Sequence, residues 1–428
     1  MDVLVIGSGG REHAICWALA KSPRVRRVYA APGNPGIATV AQLAPVAAND
    51  IQGIVDLADQ LRPGMVVVGP EAPLAMGAVD ALAARGHAAF GPTRAAARIE
   101  WSKAFAKELM MRAGVPTARY EVYEDPEEAQ AAASSWGGPV VVKLDGLAAG
   151  KGVIVADSPA DGVEAVRELA AYSAQAAPGG AAHGAPRFIL EEKLEGYEVS
   201  VFGISDGRHV VPLVPAQDHK RAYDGDEGPN TGGMGAVAPV PRLSAEEFAT
   251  IASTVLEPAI RQLADEGIPF VGTLFAGLMI TAEGPKVLEF NCRFGDPETQ
   301  AVLPLMRADF AELVEAACRG GLDGMTVEFE RKYSACVVMA ASGYPERVVT
   351  GQPIVLPDAA ALGDDTLLFH AGTALREGQL VTAGGRVLAV TAIGDDLEEA
   401  RGRAYSAVHR IQFDGAHFRT DIGRAATG

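Results

Sequence analysis

Short apolar runs alternate with helical stretches through the first hundred residues, and this rhythm constrains the fold more than any other feature of the chain. Residues 3–6, 25–31 and 65–69 read as strands, and 12–20 and 51–61 as helices. Repeated strand–helix–strand units bury both faces of their strands in a parallel sheet with right-handed crossovers. At 428 residues the chain exceeds one ordinary core, so two to four packed units are expected.

The rest divides by pattern. A helix over 102–113 carries Lys103 and Lys107, and 120–195 reads strand–helix–strand around an Ala/Gly/Pro-rich surface loop at 174–186. Strands follow at 199–204, 273–280 and 286–291, with helices at 244–266 and 308–319. The last hundred residues are strand-rich, with one helix near 395–410. The expected class is α/β and α+β multidomain. An N-terminal parallel-sheet domain (1–101) precedes a central domain (102–325) with a mobile subdomain near 120–192, then a C-terminal mixed α+β domain (326–428).

The net charge of −17 argues against nucleic acid or an anionic membrane as partner, and no apolar run approaches the roughly 20 residues that span a bilayer. The start of the chain lacks the basic and long apolar regions of a secretory signal. The four scattered cysteines form no C-x-x-C pair, so a reducing cytoplasm is the expected setting. Lysine is sparse, nine against 28 arginines, yet Lys103, Lys143, Lys151 and Lys220 all fall in motif-like segments.

The first glycine turn, Gly7-Ser8-Gly9-Gly10-Arg11-Glu12, follows a strand and opens a helix, a place where backbone amides and the helix dipole favour an anion. A dinucleotide fingerprint needs Gly or Ala at Glu12 and an acid after the second strand, where this chain reads Tyr29-Ala30-Ala31-Pro32. Two readings remain: a tight turn demanded by the fold, or a small phosphate docked on Gly9, Gly10 and Arg11.

The second glycine stretch, from Val140 through Lys143 and Gly146 to Gly150-Lys151-Gly152 and Val155, fails as a P-loop. Its spacer is one residue short, Gly152 replaces the hydroxyl, and a β-branched run follows where a helix should. It reads as a β-hairpin whose glycine tip closes over phosphates, with Lys143 placed to reach them. Glu191, Glu192 and Leu194 then lie at a strand end suited to an adenine edge, and Glu198 is placed for ribose hydroxyls.

In 284–291, period-two alternation puts Val287, Glu289 and Asn291 on one face and Leu288 and Phe290 on the other. Glu289 and Asn291 form a hard oxygen edge suited to Mg²⁺, with Mn²⁺ as an alternative. Arg293 follows, where a guanidinium can grip a carboxylate or a developing acyl phosphate, and Cys292 reads as packing. Between these segments, Asp218-His219-Lys220-Arg221 and Asn230-Thr231-Gly232-Gly233 flank a long polar loop that reads as a local anion cradle, with His219 a weak candidate for a base.

These motifs in their order resemble the glycinamide ribonucleotide synthetase family of ATP-grasp ligases. The match is carried by VLVIGSGGREHA (3–14), APGNPG (31–36), VGPEAPL (68–74), SKAFAKELM (102–110), DGLAAGKGV (145–153) and PAQDHKR (215–221). GPNTGGMGA (228–236), GPKVLEFNCRFGDPETQ (284–300), TAGGRVLAVT (382–391) and RTDIGRA (419–425) complete it. The resemblance implies that glycine is joined to 5-phosphoribosylamine through a glycyl phosphate, with ATP cleaved to ADP and phosphate. It implies Arg293, Lys220 and Asp218 as catalytic, and a nucleotide site of Lys103, Lys143, Gly150–Gly152, Glu191, Glu192, Leu194 and Glu198. Gly9, Gly10, Arg11, Asn230–Gly233 and Asp296 would hold the substrates, and Glu289 and Asn291 the metal. The family pattern has two adjacent acids where this chain has Tyr197-Glu198, which leaves Glu198 alone for ribose. A carboxylating ATP-grasp ligase, a non-catalytic nucleotide binder and a dehydrogenase are the competing readings, and a monomer is the working expectation.

Overall fold

The protein is described here from a computed structural model that covers residues 1–146, 152–175, 186–363 and 365–424. The N-terminal sheet is fully parallel, in the spatial order Gln42–Leu43, Arg27–Pro32, Asp2–Gly7, Met65–Val68, Ala89–Phe90. Every residue of Asp2–Gly7 is buried, because its two faces enter different cores. Leu4 and Ile6 pack with Val66 and Val68 in one, and Val3 and Val5 with Val28, Ala30 and Val67 in the other. An unbroken apolar run is what a strand covered on both faces requires. The helix Ile51–Leu61 lies where expected, its first turn capped by Asp50, which accepts the Gly53 amide at 2.9 Å.

A four-stranded antiparallel sheet follows, ordered Tyr120–Tyr123, Phe188–Glu192, Val140–Leu144, Val153–Ala156. Helices Pro126–Ser134 and Pro159–Gln175 cover one face, and Val140, Val142, Leu144, Val166, Leu169, Phe188 and Leu190 form a core of their own. Fully burying each such side chain contributes about 1.5–3 kcal/mol. That internal core suits a unit able to shift as a body. The loop expected at 174–186 falls almost wholly outside the described residues.

The largest sheet has eight strands and runs from the central region into the C-terminal one. Its order is Gly284–Asn291, Val271–Thr281, Tyr197–Asp206, Val210–Asp218, Gly235–Ala238, Tyr333–Ala340, Arg386–Gly394, Thr366–His370. Gly235–Ala238 is the joint, pairing with Val210–Asp218 on one edge and Tyr333–Ala340 on the other. The N-terminal sheet shares its cores with this one, since Leu4 and Ile6 belong to the cluster that holds Val199, Leu274 and Phe290.

Two expectations need correction. The polar stretch around 216–235 is not a loop: Ala216–Asp218 end a strand, and Arg221–Tyr223 and Glu227–Asn230 pair as a short hairpin. Few apolar residues mark it, because its partners are polar groups of the C-terminal region. The strict alternation through 287–291 also fails. A bulge sets Gly277 opposite Glu289 and Leu278 opposite Val287, so Leu288 is the extra residue. Val287 therefore packs in the same core as Phe290, while Glu289 and Asn291 keep their shared face.

Candidate active site

Three lysines gather where the four-stranded sheet meets the Gly284–Asn291 strand. Lys143 Nζ lies 3.0 Å from the Leu288 carbonyl oxygen and 2.9 Å from Glu191 Oε2. Lys107 Nζ reaches the same carboxylate oxygen at 3.0 Å and donates to Thr117 Oγ1 at 2.7 Å. Two buried ammonium groups sharing one carboxylate leave surplus positive charge. Burial pushes Lys107 down to about 8, against the pull of Glu191. Lys103 opens the helix Lys103–Ala113, which Ser102 caps, and donates to the Gly146 carbonyl at 2.9 Å. Burial lowers its pKa also, with Glu289 opposing.

The hairpin expectation holds at its base, where the Leu144 amide donates to the Gly152 carbonyl at 2.8 Å and Lys143 pairs with Val153. Gly150 and Lys151 lie outside the described residues. Glu192 spends its amide on the Arg119 carbonyl, and its Oε1 accepts the Arg119 amide, both at 3.0 Å. Leu194 sits in the connection between Phe188–Glu192 and Tyr197–Asp206. The Glu198 carboxylate accepts from Lys220 Nζ at 2.6 Å, so any ribose hydroxyl would share that oxygen with an ammonium.

Glu289 stands at the centre of this charge. Burial pushes its carboxyl up, but Lys220, Lys143, Lys103 and Arg293 outweigh burial and hold it below the usual range. It is an ionised carboxylate facing four cations. Asn291 Oδ1 accepts from Arg293 Nη2 at 3.2 Å. Among the described residues, no cluster of three or more His, Cys, Asp or Glu is arranged to hold a metal by itself. One carboxylate and one amide oxygen fit a divalent ion that arrives with phosphates supplying its other ligands.

Arg293 is fixed by groups that the sequence reading did not single out. Its Nη2 lies 3.1 Å from Glu100 Oε1 and its Nε 3.4 Å from Glu71 Oε2. Glu100 also accepts the Cys292 amide at 2.8 Å, and Cys292 is buried as expected. Glu71 lies within the VGPEAPL segment, which was a signal. Glu100 carried none, because only the tertiary fold brings it to the 291–293 strand end.

At the first glycine turn, Glu12 settles the dinucleotide question. Its buried side chain fills the space that a Cβ on Gly7 or Gly69 would need, and Gly7 has φ +129°. The Glu12 carboxylate accepts the Gly9 amide at 2.6 Å and pairs with Arg11 Nε at 2.5 Å. Arg11 Nη1 donates to the Phe294 carbonyl at 3.1 Å. The amide of Gly9 is thus already engaged, and Arg11 ties the turn to the 293–296 segment. Asp296 faces this turn. A Cβ on Gly9 would lie 3.4 Å from Asp296 Oδ2, and Gln300 Nε2 donates to Asp296 Oδ1 at 2.7 Å.

Asn230, Thr231, Gly232 and Gly233 lead to the same Asp296–Pro297 segment, which Gly233 approaches closely. Thr231 donates its amide to the Lys220 carbonyl at 2.7 Å and its hydroxyl to the same oxygen at 2.8 Å. Gly233 has φ +107°, and a Cβ there would collide with Pro297. Arg386, from the TAGGRVLAVT segment, donates from Nη1 to the Gly232 and Asp296 carbonyls, each at 2.5 Å. It comes from the C-terminal region, and its place depends on sheet continuity that no local pattern encodes.

Asp218 ends the Val210–Asp218 strand and Lys220 follows two residues on, beside Glu198, Glu289 and the buried Glu298, which accepts from Ser200 at 3.2 Å. His219 points away and is no base: burial pushes it down to about 4, and its Nε2 accepts the Gly423 amide at 3.0 Å. Burial pushes Asp218 up to about 7, with Lys220 pulling the other way. The folded chain therefore holds this proton more tightly than the unfolded chain, whose carboxyl titrates near 3.8. Stability from that group is full at low pH and lost as pH rises through about 7. Asp218→Asn is expected to flatten the fall in melting temperature between about pH 4 and pH 8. Parallel pH curves for parent and variant would refute the assignment.

Known proteins resemble this chain along nearly its whole length. Family models described as the N domain, the ATP-grasp (A) domain and the C domain of phosphoribosylglycinamide synthetase match residues 1–100, 101–299 and 334–425. The chain is 48% identical over 435 residues to the phosphoribosylamine–glycine ligase of Allochromatium vinosum, covering 100% of this chain and 99% of that protein. The Streptomyces coelicolor protein of the same name is 48% identical over 431 residues, with all of both chains covered. The crystal structure of phosphoribosylamine–glycine ligase from Thermotoga maritima superposes with a TM-score of 0.83 at 34% identity, covering 99% of this chain and 100% of that one. A biotin carboxylase from Campylobacter jejuni shares the fold alone, at TM-score 0.76 and 14% identity. With all three domain models in order along its length, the chain belongs to the phosphoribosylglycinamide synthetase family.

Proposed function

We propose that this chain is an ATP-dependent ligase that joins glycine to 5-phosphoribosylamine, giving glycinamide ribonucleotide, ADP and phosphate for purine biosynthesis. The observation that carries the reading is the convergence of Lys103, Lys143, Lys220 and Arg293 on the single carboxylate of Glu289. Such a site gathers four cations around one hard oxygen edge, which matches a nucleotide polyphosphate bearing a divalent ion. Glu289 and Asn291 would hold that ion, Mg²⁺ being the natural choice and Mn²⁺ an alternative, and it would neutralise phosphate charge when bound.

Lys103 and Lys143 bind the phosphates, at the base of the hairpin formed by Val140–Leu144 and Val153–Ala156. The Phe188–Glu192 strand end and Leu194 carry the adenine edge, with Glu198 beside the ribose. A glycine carboxylate oxygen attacks the γ-phosphorus, the bond to the ADP oxygen breaks, and glycyl phosphate forms. The ribosylamine nitrogen then attacks the acyl carbon, the C–N bond forms, the amine loses a proton and phosphate leaves. Arg293, held by Glu71 and Glu100, steadies the acyl phosphate, while Lys220 and Asp218 line its other side. Gly10 and Asn230–Gly233 hold the ribose phosphate end, with Asp296 beside them, while the Gly9 amide and Arg11 brace the turn. Positioning and charge stabilisation supply most of the acceleration.

No helix among the described residues is long and apolar enough to cross a membrane, and the cysteines are unpaired. The unpaired cysteines suit a chain working in a reducing cytoplasm, and a monomer is the expected form. The test is ADP release with Mg²⁺, glycine and phosphoribosylamine formed in situ from ribose 5-phosphate and ammonia, omitting each in turn. Release that needs every component, with the glycinamide ribonucleotide mass appearing, is expected. Turnover indifferent to glycine would point to another carboxylate, and ATP binding without turnover to a non-catalytic chain.

A further inference from the structure

The RTDIG segment near the C-terminus takes no part in the chemistry above, yet it makes a run of polar contacts with the hairpin beside the site residues. Lys220 immediately precedes the hairpin strands Arg221–Tyr223 and Glu227–Asn230, and Asn230 ends them. The tip between the strands, 224–226, is gripped from outside. Arg419, only 1% exposed, donates from Nη1 to Asp226 Oδ1 at 2.7 Å and to the Arg221 carbonyl at 3.1 Å. Its Nε and Nη2 hold the two Asp421 oxygens, each at 2.8 Å. The Gly225 amide donates to Asp421 Oδ2 at 2.9 Å, and the Thr420 amide donates to Asp224 Oδ1 at 2.8 Å.

The grip continues at both ends. His417 Nε2 lies 2.8 Å from the Ala222 carbonyl oxygen, and the Gly423 amide donates to His219 Nε2 at 3.0 Å. The segment is itself anchored to the helix Leu397–Val408. Arg401 Nε donates to the Ile422 carbonyl at 2.6 Å, and the Tyr405 hydroxyl donates to the Arg419 carbonyl at 2.8 Å. The hairpin has almost no apolar core, so its position depends on these bonds. The lysines of the nucleotide face have partners of their own in Gly146, Glu191 and Leu288.

We propose that residues 417–423 form a positioning strap, with Arg419 as its positioning residue, that sets Asp218, Lys220 and Asn230–Gly233 for the amine substrate, while Lys103 and Lys143 are held independently of it. The proposal rests on the ligase reading. A buried guanidinium that spends Nη1 on the hairpin and Nε and Nη2 on Asp421, which itself accepts the Gly225 amide, holds the hairpin in a single pose, which a lysine cannot reproduce.

The test compares Arg419→Lys, Arg419→Met and Asp226→Asn in the full chain. Asp226 is mostly exposed, 59% at its side chain, so its variant reports even where the arginine variants fail to fold. Hydrogen exchange is read over 221–231, with kcat and KM for ATP, glycine and phosphoribosylamine. Faster exchange in the hairpin is expected, with kcat/KM for phosphoribosylamine down about tenfold or more, KM for ATP within about twofold, and Arg419→Lys between Met and the parent. Faster exchange with every kinetic parameter unchanged would overturn the proposal. So would an equal loss for all three substrates that tracks melting temperature. A parent chain that exchanges normally but never ligates would sink the ligase reading, a result distinct from either.

Discussion

Glu289→Gln is expected to lower kcat by about 10²- to 10³-fold and to raise the divalent metal concentration needed for half-maximal turnover. The substitution keeps size and shape and removes one negative charge from a point that faces Lys103, Lys143, Lys220 and Arg293. Those cations hold the carboxyl ionised, so a full charge is lost at working pH. The sign of a second effect follows. With that carboxylate gone, the cations meet the nucleotide with one negative charge fewer beside them, so ATP without metal binds at least as tightly as to the parent. Metal titration of turnover and metal-free ATP binding read the two effects separately. An unchanged metal requirement would remove Glu289 from metal binding, whatever happened to kcat.

Arg293→Ala is expected to abolish ligation while ATP still binds. The structure adds a stability cost, because Ala strands the carboxylates of Glu100 and Glu71 that lie 3.1 and 3.4 Å from the guanidinium. Breaking a buried pair by removing one partner costs about 3–5 kcal/mol, and half-exposed Glu71 brings the loss toward the low end. Arg293→Lys separates the two effects. It keeps a charge between Glu71 and Glu100 and loses the planar fork, so it should recover most of the melting temperature and little of the turnover. ATP affinity, kcat and melting temperature are measured on all three chains. Lost ATP affinity with ligation otherwise intact would move Arg293 to the nucleotide site. Full turnover in the lysine variant would show that charge alone suffices.

Much of the architecture was legible from local pattern. The helix expected at 51–61 is Ile51–Leu61, and the glycine stretch that failed as a P-loop folds as strands Val140–Leu144 and Val153–Ala156. These succeed because hydrophobic period and β-branching act over a few residues. The exclusion of a dinucleotide was also local: Glu12 stands where a glycine would be needed, and its side chain fills that space. Where local reading failed, a distant partner decided. The bulge at Leu288 breaks the alternation because the facing strand carries Gly277 opposite Glu289. The hairpin of 221–230 looked like a loop because its stabilising groups, Arg419 and Asp421, lie almost two hundred residues away.

The sequence by itself determined the kind of chemistry, because lysines, glycines and the Glu289–Asn291 edge are chemical types that stand in the chain wherever it folds. Tertiary structure alone decided what each of them faces. It gave Lys143 the Glu191 carboxylate shared with Lys107, gave Arg293 its two carboxylates, brought Arg386 across the continuous sheet, and set His219 to accept an amide. Charge and hydrogen-bond geometry depend on separations of about 3 Å, and only packing of remote segments fixes distances that small.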